Sequence, residues 1–288
     1  MLLKLTSTFT DSSLTAYKRD VLLSGDNGGV KFLFDLAYTY SYAGGTPVNA
    51  SPINDVSDTA NGSFVLQSGE TMSYAGGGFD YGALTKHGTF VQGAGALATS
   101  VWGSANQYFL IAGYFKLPTQ AQWNSAGTIF EFFRVGANSY TAAPNIIMMA
   151  QQATTSAITV RRQTGAGTAD ILSALVPAAG DYGNFVQLAF WRDATGQYAR
   201  LKSANGVVSS STTTNSNNSQ NFSGVAIQAG ALAGFSGAAG VALPAGITNA
   251  SRFRLYRGFG ENLAISGRSA ATVLDADYTR TVARGVFS

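Results

Sequence analysis

The run GNFVQLAFWRDATGQYARLKSANGVVSSSTT (residues 183–213) decides the class of fold. Two stretches rich in Phe, Val, Leu and Tyr flank Asp193-Ala194-Thr195-Gly196, which reads as a type I turn with glycine as its left-handed exit residue. Further on, Asn205-Gly206 can take φ > 0 at both central positions, as a two-residue type I′ hairpin requires. The spacing therefore predicts a three-stranded antiparallel meander over 184–213. Outward from it, similar short segments recur at 63–67, 108–117, 127–135, 145–152, 157–163, 223–229 and 251–260, separated by Gly, Asn or Asp. Strands at this spacing without interleaved helices predict an all-β fold, a two-sheet antiparallel β-sandwich.

Two further segments extend the plan. Val30, Phe32, Phe34, Leu36, Tyr38, Tyr40 and Tyr42 fill every even position of 30–42, which predicts one long strand with an aromatic face. Near the other end, Ser266 is the expected N-cap of one short C-terminal helix. Ala270, Val273, Leu274 and Tyr278 form its apolar stripe, and Asp275 and Asp277 read as a solvated face. The expected organisation is an N-terminal docking or assembly segment over 1–50, carrying the aromatic strand, followed by a sandwich over 51–288.

Composition removes several functions. The 288 residues include no cysteine and one histidine, His87, which excludes thiolate metal sites, disulfides and multi-histidine metal centres. Charged residues are 11%, against about 25% in an average soluble domain, and they concentrate at the two ends. Eight lie within 1–35 and nine within 252–284. A net charge of +3 gives no clustered basic face, so nucleic acid is not an expected partner. Arg252, Arg254 and Arg257 form a basic grouping in which Arg252 and Arg254 share one face of a half-exposed strand and Phe253 and Leu255 the other. The charge-free run from Ser203 to Ser251 is rich in Ala and Gly, with Gln228 and Pro244, and reads as strand and loop, not a membrane span. A surface this poor in charge suggests that part of it is covered in an assembly.

The order of these elements resembles the laminin G-like, concanavalin A-like lectin/glucanase jelly roll. The resemblance spans roughly 60–288. It rests on the hairpin Gly183, Asn184, Phe185, Val186 through Asp193 and Gly196, with Phe185 where that family usually has Trp, and on the helix start Leu263-Ala264-Ile265-Ser266. The whole chain is also similar in style to the jelly-roll virion proteins of tailed bacteriophages. What these resemblances imply is a jelly-roll sandwich serving as a virion structural protein, in the tail region more than the capsid. Its implied partners are other virion proteins and copies of itself, a trimer being favoured. The alternative is a glycan-binding module for a host-surface polysaccharide; a glycoside hydrolase is the least favoured reading.

Glucanases of this fold need paired acids, whereas Glu70, Glu131 and Glu261 have no acidic neighbour at i+2 or i+4. His87 lies in a Lys-His-Gly turn, and no G-x-S-x-G elbow accompanies it, so no enzyme is expected. No cofactor is expected either, apart from a structural calcium ion on the close acidic pair Asp55 and Asp58. For sugar contacts the candidates are Trp123 and Asn124 in a polar loop, Tyr140 in another, and Asn217 in the amide-rich run 211–221. The competing reading of Trp123 is a cap on the sandwich edge, and Trp102 and Trp191 are assigned to the core.

Overall fold

The computed structural model describes residues 20–86, 88–95, 97–123, 130–136, 145–151, 157–165, 167–221, 223, 225–230 and 252–288. Its strands are β1 (Val30–Asp35), β2 (Pro52–Ile53), β3 (Gly62–Val65), β4 (Ser73–Ala75), β5 (Gly78–Asp80), β6 (Phe90–Gln92), β7 (Phe109–Lys116) and β8 (Phe130–Gly136). They continue as β9 (Asn145–Gln151), β10 (Ile158–Gly165), β11 (Thr168–Leu175), β12 (Phe185–Arg192), β13 (Gln197–Ser203), β14 (Gly206–Thr212), β15 (Ile227–Ala229) and β16 (Arg254–Asn262). Among the described residues, four α-helices accompany them: α1 (Leu97–Trp102), α2 (Gln120–Trp123), α3 (Leu263–Ser266) and α4 (Ala270–Ala283).

The strands make two eight-stranded antiparallel sheets. One runs β14-β13-β12-β7-β16-β5-β4, with β1 also paired to β16; the other runs β11-β10-β9-β8-β15-β6-β3-β2. This is a jelly-roll β-sandwich, and the meander over 184–213 is present as β12, β13 and β14.

The first sheet is covered on both faces. Phe109, Ile111 and Phe115 of β7 point into the core between the sheets, together with Val186, Leu188 and Phe190 of β12. The alternate residues Leu110, Ala112, Ala189 and Trp191 meet Leu263, Ala270, Val273 and Leu274 under α3 and α4. Burial on both faces explains why these strands read as nearly continuous apolar runs. The buried stripe of α4 is Ala270, Val273, Leu274, Asp277, Tyr278 and Thr281, so all four residues expected to face inward do so. The helix begins after Ser269, three residues later than expected, because the short helix α3 and the left-handed Gly267 (φ +66°) come first.

One expectation fails here. The aromatic strand stops at Asp35, whose carboxylate accepts from Ala37 N while its own N–H goes to Ser41 Oγ. Residues 36–41 then form turns, in which Tyr38 N donates to Asp35 O and Tyr42 N to Tyr38 O. Period-two spacing carried through a turn, and Tyr38 and Tyr40 pack part-buried under the outer layer. Of the segment expected over 1–50, β1 is paired along β16, and its Phe32 and Phe34 belong to the inter-sheet core.

Asp277 is not solvated but lies inside the outer layer, bonded to Tyr114 (2.7 Å) and Arg257 (3.0 Å). Arg257, expected on a half-exposed strand, is fully buried. A bulge between Leu255 and Arg257 shifts the phase of β16, so that Arg257 faces α4. It meets Asp20 (2.8 Å), Asp35 (2.9 Å) and Asp277, and Arg284 also pairs with Asp35. Neighbouring polar links run from Tyr114 through Gln187 and Arg200 to Asp275.

Removing Arg257 leaves two buried carboxylates short of a partner, so Arg257→Met should cost about 3–5 kcal/mol in urea unfolding. Asp275 has a side chain 55% exposed, and Asp275→Ala should cost no more than about 1 kcal/mol. Burial pushes the Asp20 carboxyl up, but the Arg257 charge and hydrogen bond outweigh it and hold it below 3.8. A carboxyl with a lowered folded value stabilises above its unfolded value and loses that contribution as pH falls through the folded one. Stability should therefore drop through the acid range below about pH 4, and Asp20→Asn should flatten that drop.

Candidate functional site

A concavity of the described surface lies beside the β12–β13 turn. Trp191 and Tyr198 face each other across the hairpin, with rings stacked at 5.0 Å and 15°. The turn between them is closed by Asp193 N donating to Gly196 O, and Asp193 Oδ1 accepts from Thr195 N (2.8 Å) and Thr195 Oγ1 (2.6 Å). The Tyr198 hydroxyl sits 2.7 Å from Thr195 Oγ1, so the ring is tied at its outer end. Gly196 does not have the expected left-handed backbone. A Cβ there would meet Thr212 O of β14 at 2.5 Å, so glycine is required by close approach. The other turn is displaced by one residue: Ser203 pairs with Gly206, and Ala204-Asn205 form the loop. Asn205 Nδ2 donates to Asp181 there.

The opposite wall is the start of the helical layer. Asn262 caps α3 by accepting from Ala264 N and Ile265 N. Arg268 follows, held by both oxygens of the buried Glu261 (2.9 and 2.8 Å) and by Leu22 O (2.7 Å). Ser269 occupies the N-cap of α4 without making a side-chain cap bond. Tyr108 closes the floor, with the Arg192 guanidinium 5.7 Å from its ring centre. The resulting groove has a volume near 560 Å³. Tyr108, Trp191, Tyr198 and Leu263 give it an apolar floor, with Asp193, Arg268 and Ser269 at its margins. Aromatic faces beside hydroxyl, carboxylate and guanidinium groups suit a ligand with both C–H patches and hydroxyls.

The residues singled out from the sequence lie elsewhere. Trp123 is 0% exposed and meets Tyr182 edge-on at 5.6 Å. Helix α2 turns Gln120, Ala121 and Gln122 outward and this indole inward, so it caps the sandwich and has no face open to a sugar. Asn124, Tyr140 and His87 lie outside the described residues. Asn217 is exposed, but its Nδ2 already donates to Ala105 O (2.8 Å). The amide-rich run is pinned inward by two arginines. Arg192 bonds Asn215 Oδ1 and O, while Arg162 bonds Ser216 O and Asp170. Burial, then the nearby Arg192 charge, pulls Arg162 down to about 10.

The acidic pair proposed for calcium is built differently. Asp55 is fully buried, and its carboxylate accepts from Leu33 N, Ser57 N, Ser57 Oγ, Thr59 N and Ala60 N at 2.7–3.1 Å. Its lone pairs are thus taken by protein donors. Asp58 is exposed, with φ +60°, on the same turn. Among the described residues, no group of three potential ligands gathers.

Of the groove residues, Trp191 lies in the core as the sequence reading placed it, 8% exposed, and only its rim lines the groove. The part-exposed Tyr108 and Tyr198 were not singled out. A signal was present for Tyr198: a turn over 193–196 puts it opposite Trp191, where the two rings can pair across the strands.

No family model matches the chain, and no curated protein matches it. Solved structures do resemble it in fold. The binding domain of Paraclostridial mosquitocidal protein 1 has a TM-score of 0.52 at 9% identity, covering 82% of this chain and 49% of that one. The receptor-binding domain of botulinum neurotoxin type G has a TM-score of 0.52 at 9% identity, covering 88% and 51%. Trypanosoma rangeli sialidase has a TM-score of 0.47 at 10% identity, covering 81% and 31%. The chain spans about half the length of these structures or less. At such identities the likeness is one of fold.

Asp55→Ala should orphan buried donors such as Leu33 N and lower stability by at least about 3 kcal/mol in chemical unfolding. Millimolar calcium or EDTA should leave the Tm of the unaltered chain unchanged, and a calcium-dependent rise in Tm would contradict this account of the loop.

Proposed function

We propose that the chain is a non-catalytic carbohydrate-binding module, with a cell-surface glycan as ligand in the groove beside the β12–β13 turn. The observation that carries this reading is the pair of part-exposed rings Tyr108 and Tyr198 in one groove, Tyr198 being backed by the buried Trp191 and tied at its hydroxyl to the turn. A pyranose presents C–H patches to such rings and hydroxyls to the Asp193, Ser269 and Arg268 margins. The groove volume falls within the range of about 300–1,000 Å³ common among ligand clefts.

The state of the carboxylates supports binding over hydrolysis. A glycosidase needs two carboxyls free to flank one bond. Here Glu70 is bonded to Thr85, Glu261 to Arg268, Asp170 to Arg162 and Gln197, and Asp181 to Ser203 and Asn205.

The setting in which such a module works is, on this reading, a tailed-phage particle, in the tail region and as a homo-oligomer. A separate observation favours an assembly. Val282 (48% exposed) and Val286 (44%) stand beside an apolar hollow lined by Phe185 and Phe287, on a chain with few charges to keep it apart from other copies.

Tyr198→Ala and Tyr108→Ala should each weaken binding of a glycan found by array screening by about 1–3 kcal/mol, as for a central aromatic contact. Titration calorimetry reads the change, and unaltered affinity in both variants would remove the groove from the reading. Light scattering across a concentration series should give a trimer or larger, reduced in mass by Val282→Glu; a stable monomer would reject the oligomer.

A further inference from the structure

A second groove, near 430 Å³, runs along the other side of the Arg268-Ser269 ridge. Thr272, Ala276 and Arg280 lie on it at i, i+4 and i+8, so it follows the axis of α4 for about 12 Å. Its far bank is Val21, Leu22 and Ser24 of the segment leading into β1. Arg268 and Ser269 line both grooves, so the two adjoin across a single ridge. That ridge is fixed, because the guanidinium of Arg268 is clamped by Glu261 and Leu22 O. The Ser269 hydroxyl on it makes no cap bond with the helix.

The two grooves differ in character. The first is floored by aromatic rings. The second carries the hydroxyls of Ser24 and Thr272 and the guanidinium of Arg280 above a narrow apolar base. Arg280 lies 3.6 Å from Asp277 Oδ1, beyond hydrogen-bond reach, with a side chain 36% exposed. It is ion-paired with Asp277 and its charge also acts on Asp20, but its side chain, unlike that of the buried Arg257, reaches solvent at the groove.

Building on the carbohydrate reading of the first groove, we infer that the ligand is a linear oligosaccharide spanning both grooves, not a terminal monosaccharide. One sugar stacks on Tyr108 and Tyr198, the chain crosses the ridge at Ser269, and a more distant residue gives its hydroxyls to Thr272 and Arg280. Affinity then grows with chain length, because each added contact is made by a residue already tethered.

The test is calorimetric titration of the full chain with malto-, cello-, laminari- and chito-oligosaccharide ladders, from monosaccharide to hexasaccharide. In one series, affinity should rise by about tenfold or more with length before reaching a plateau. Arg280→Gln and, separately, Thr272→Trp, which fills the second groove, should abolish that rise and leave affinity for the shortest bound member unchanged. Circular dichroism and thermal melts establish that both variants fold. Affinity independent of length, or a rise that survives Thr272→Trp, would overturn the spanning ligand while leaving the first groove's assignment intact. Failure of every ladder and of a glycan array to bind would overturn both.

Discussion

Arg257 is the point at which four separate stretches of this chain meet. It sits in β16, the strand to which β1, β5 and β7 all pair, and its guanidinium reaches Asp20, Asp35 and Asp277 with almost no exposure to water. Moving one such charge out of water costs several kcal/mol, so the site exists only because carboxylates from three directions surround it. The bonds are directional, and apolar packing is not. Leu110, Phe259, Leu263 and Leu274 supply the burial that holds α4 down, but they would tolerate a helix shifted or rotated slightly. The guanidinium admits one placement of Asp277 and one path for the segment around Asp20.

This cluster also explains the oddest feature of the composition. Charges are concentrated at the two ends of the sequence. In the structure, acids from the first concentration are the partners of arginines from the second: Asp20 and Asp35 with Arg257, and Asp35 with Arg284. Part of the charge at the two ends of the sequence is therefore used in closing one segment on the other.

What could be read beforehand follows from which physical signals are local. The meander was legible because alternation and turn chemistry both lie within thirty residues, and the apolar stripe of α4 because helical spacing is local too. The errors have equally definite causes. Tyr38, Tyr40 and Tyr42 keep period two through a turn set by the Asp35 side chain, which only the Arg257 site accounts for. Asn205-Gly206 looked like the hairpin centre, yet the loop is one residue earlier, with Asn205 bonded to Asp181 from a distant segment. Trp123 looked exposed because its neighbours are polar, although a single helical turn separates those neighbours from the indole. Asp277 lies seven residues after Ala270, on the buried stripe, and spacing alone placed it there. Its charge argued otherwise, since a buried acid makes sense only once its partner on β16 is known.

The candidate groove was the least legible part because no one segment contains it. Tyr108 enters from the start of β7, Trp191 and Tyr198 from a hairpin, and Arg268 and Ser269 from the link between α3 and α4. Those pieces converge because α4 can dock in only one position, and that position is set by Arg257 through Asp277. The hairpin fixes its own rings through Asp193, Thr195 and the Tyr198 hydroxyl, while Glu261 and Leu22 fix Arg268 on the other wall. Both walls are therefore rigid before any ligand arrives, so little ordering entropy remains to oppose binding. On the proposed carbohydrate reading such preorganisation matters most, since each sugar contact is individually weak, and the buried arginine acts on the aromatic floor through the docking of α4.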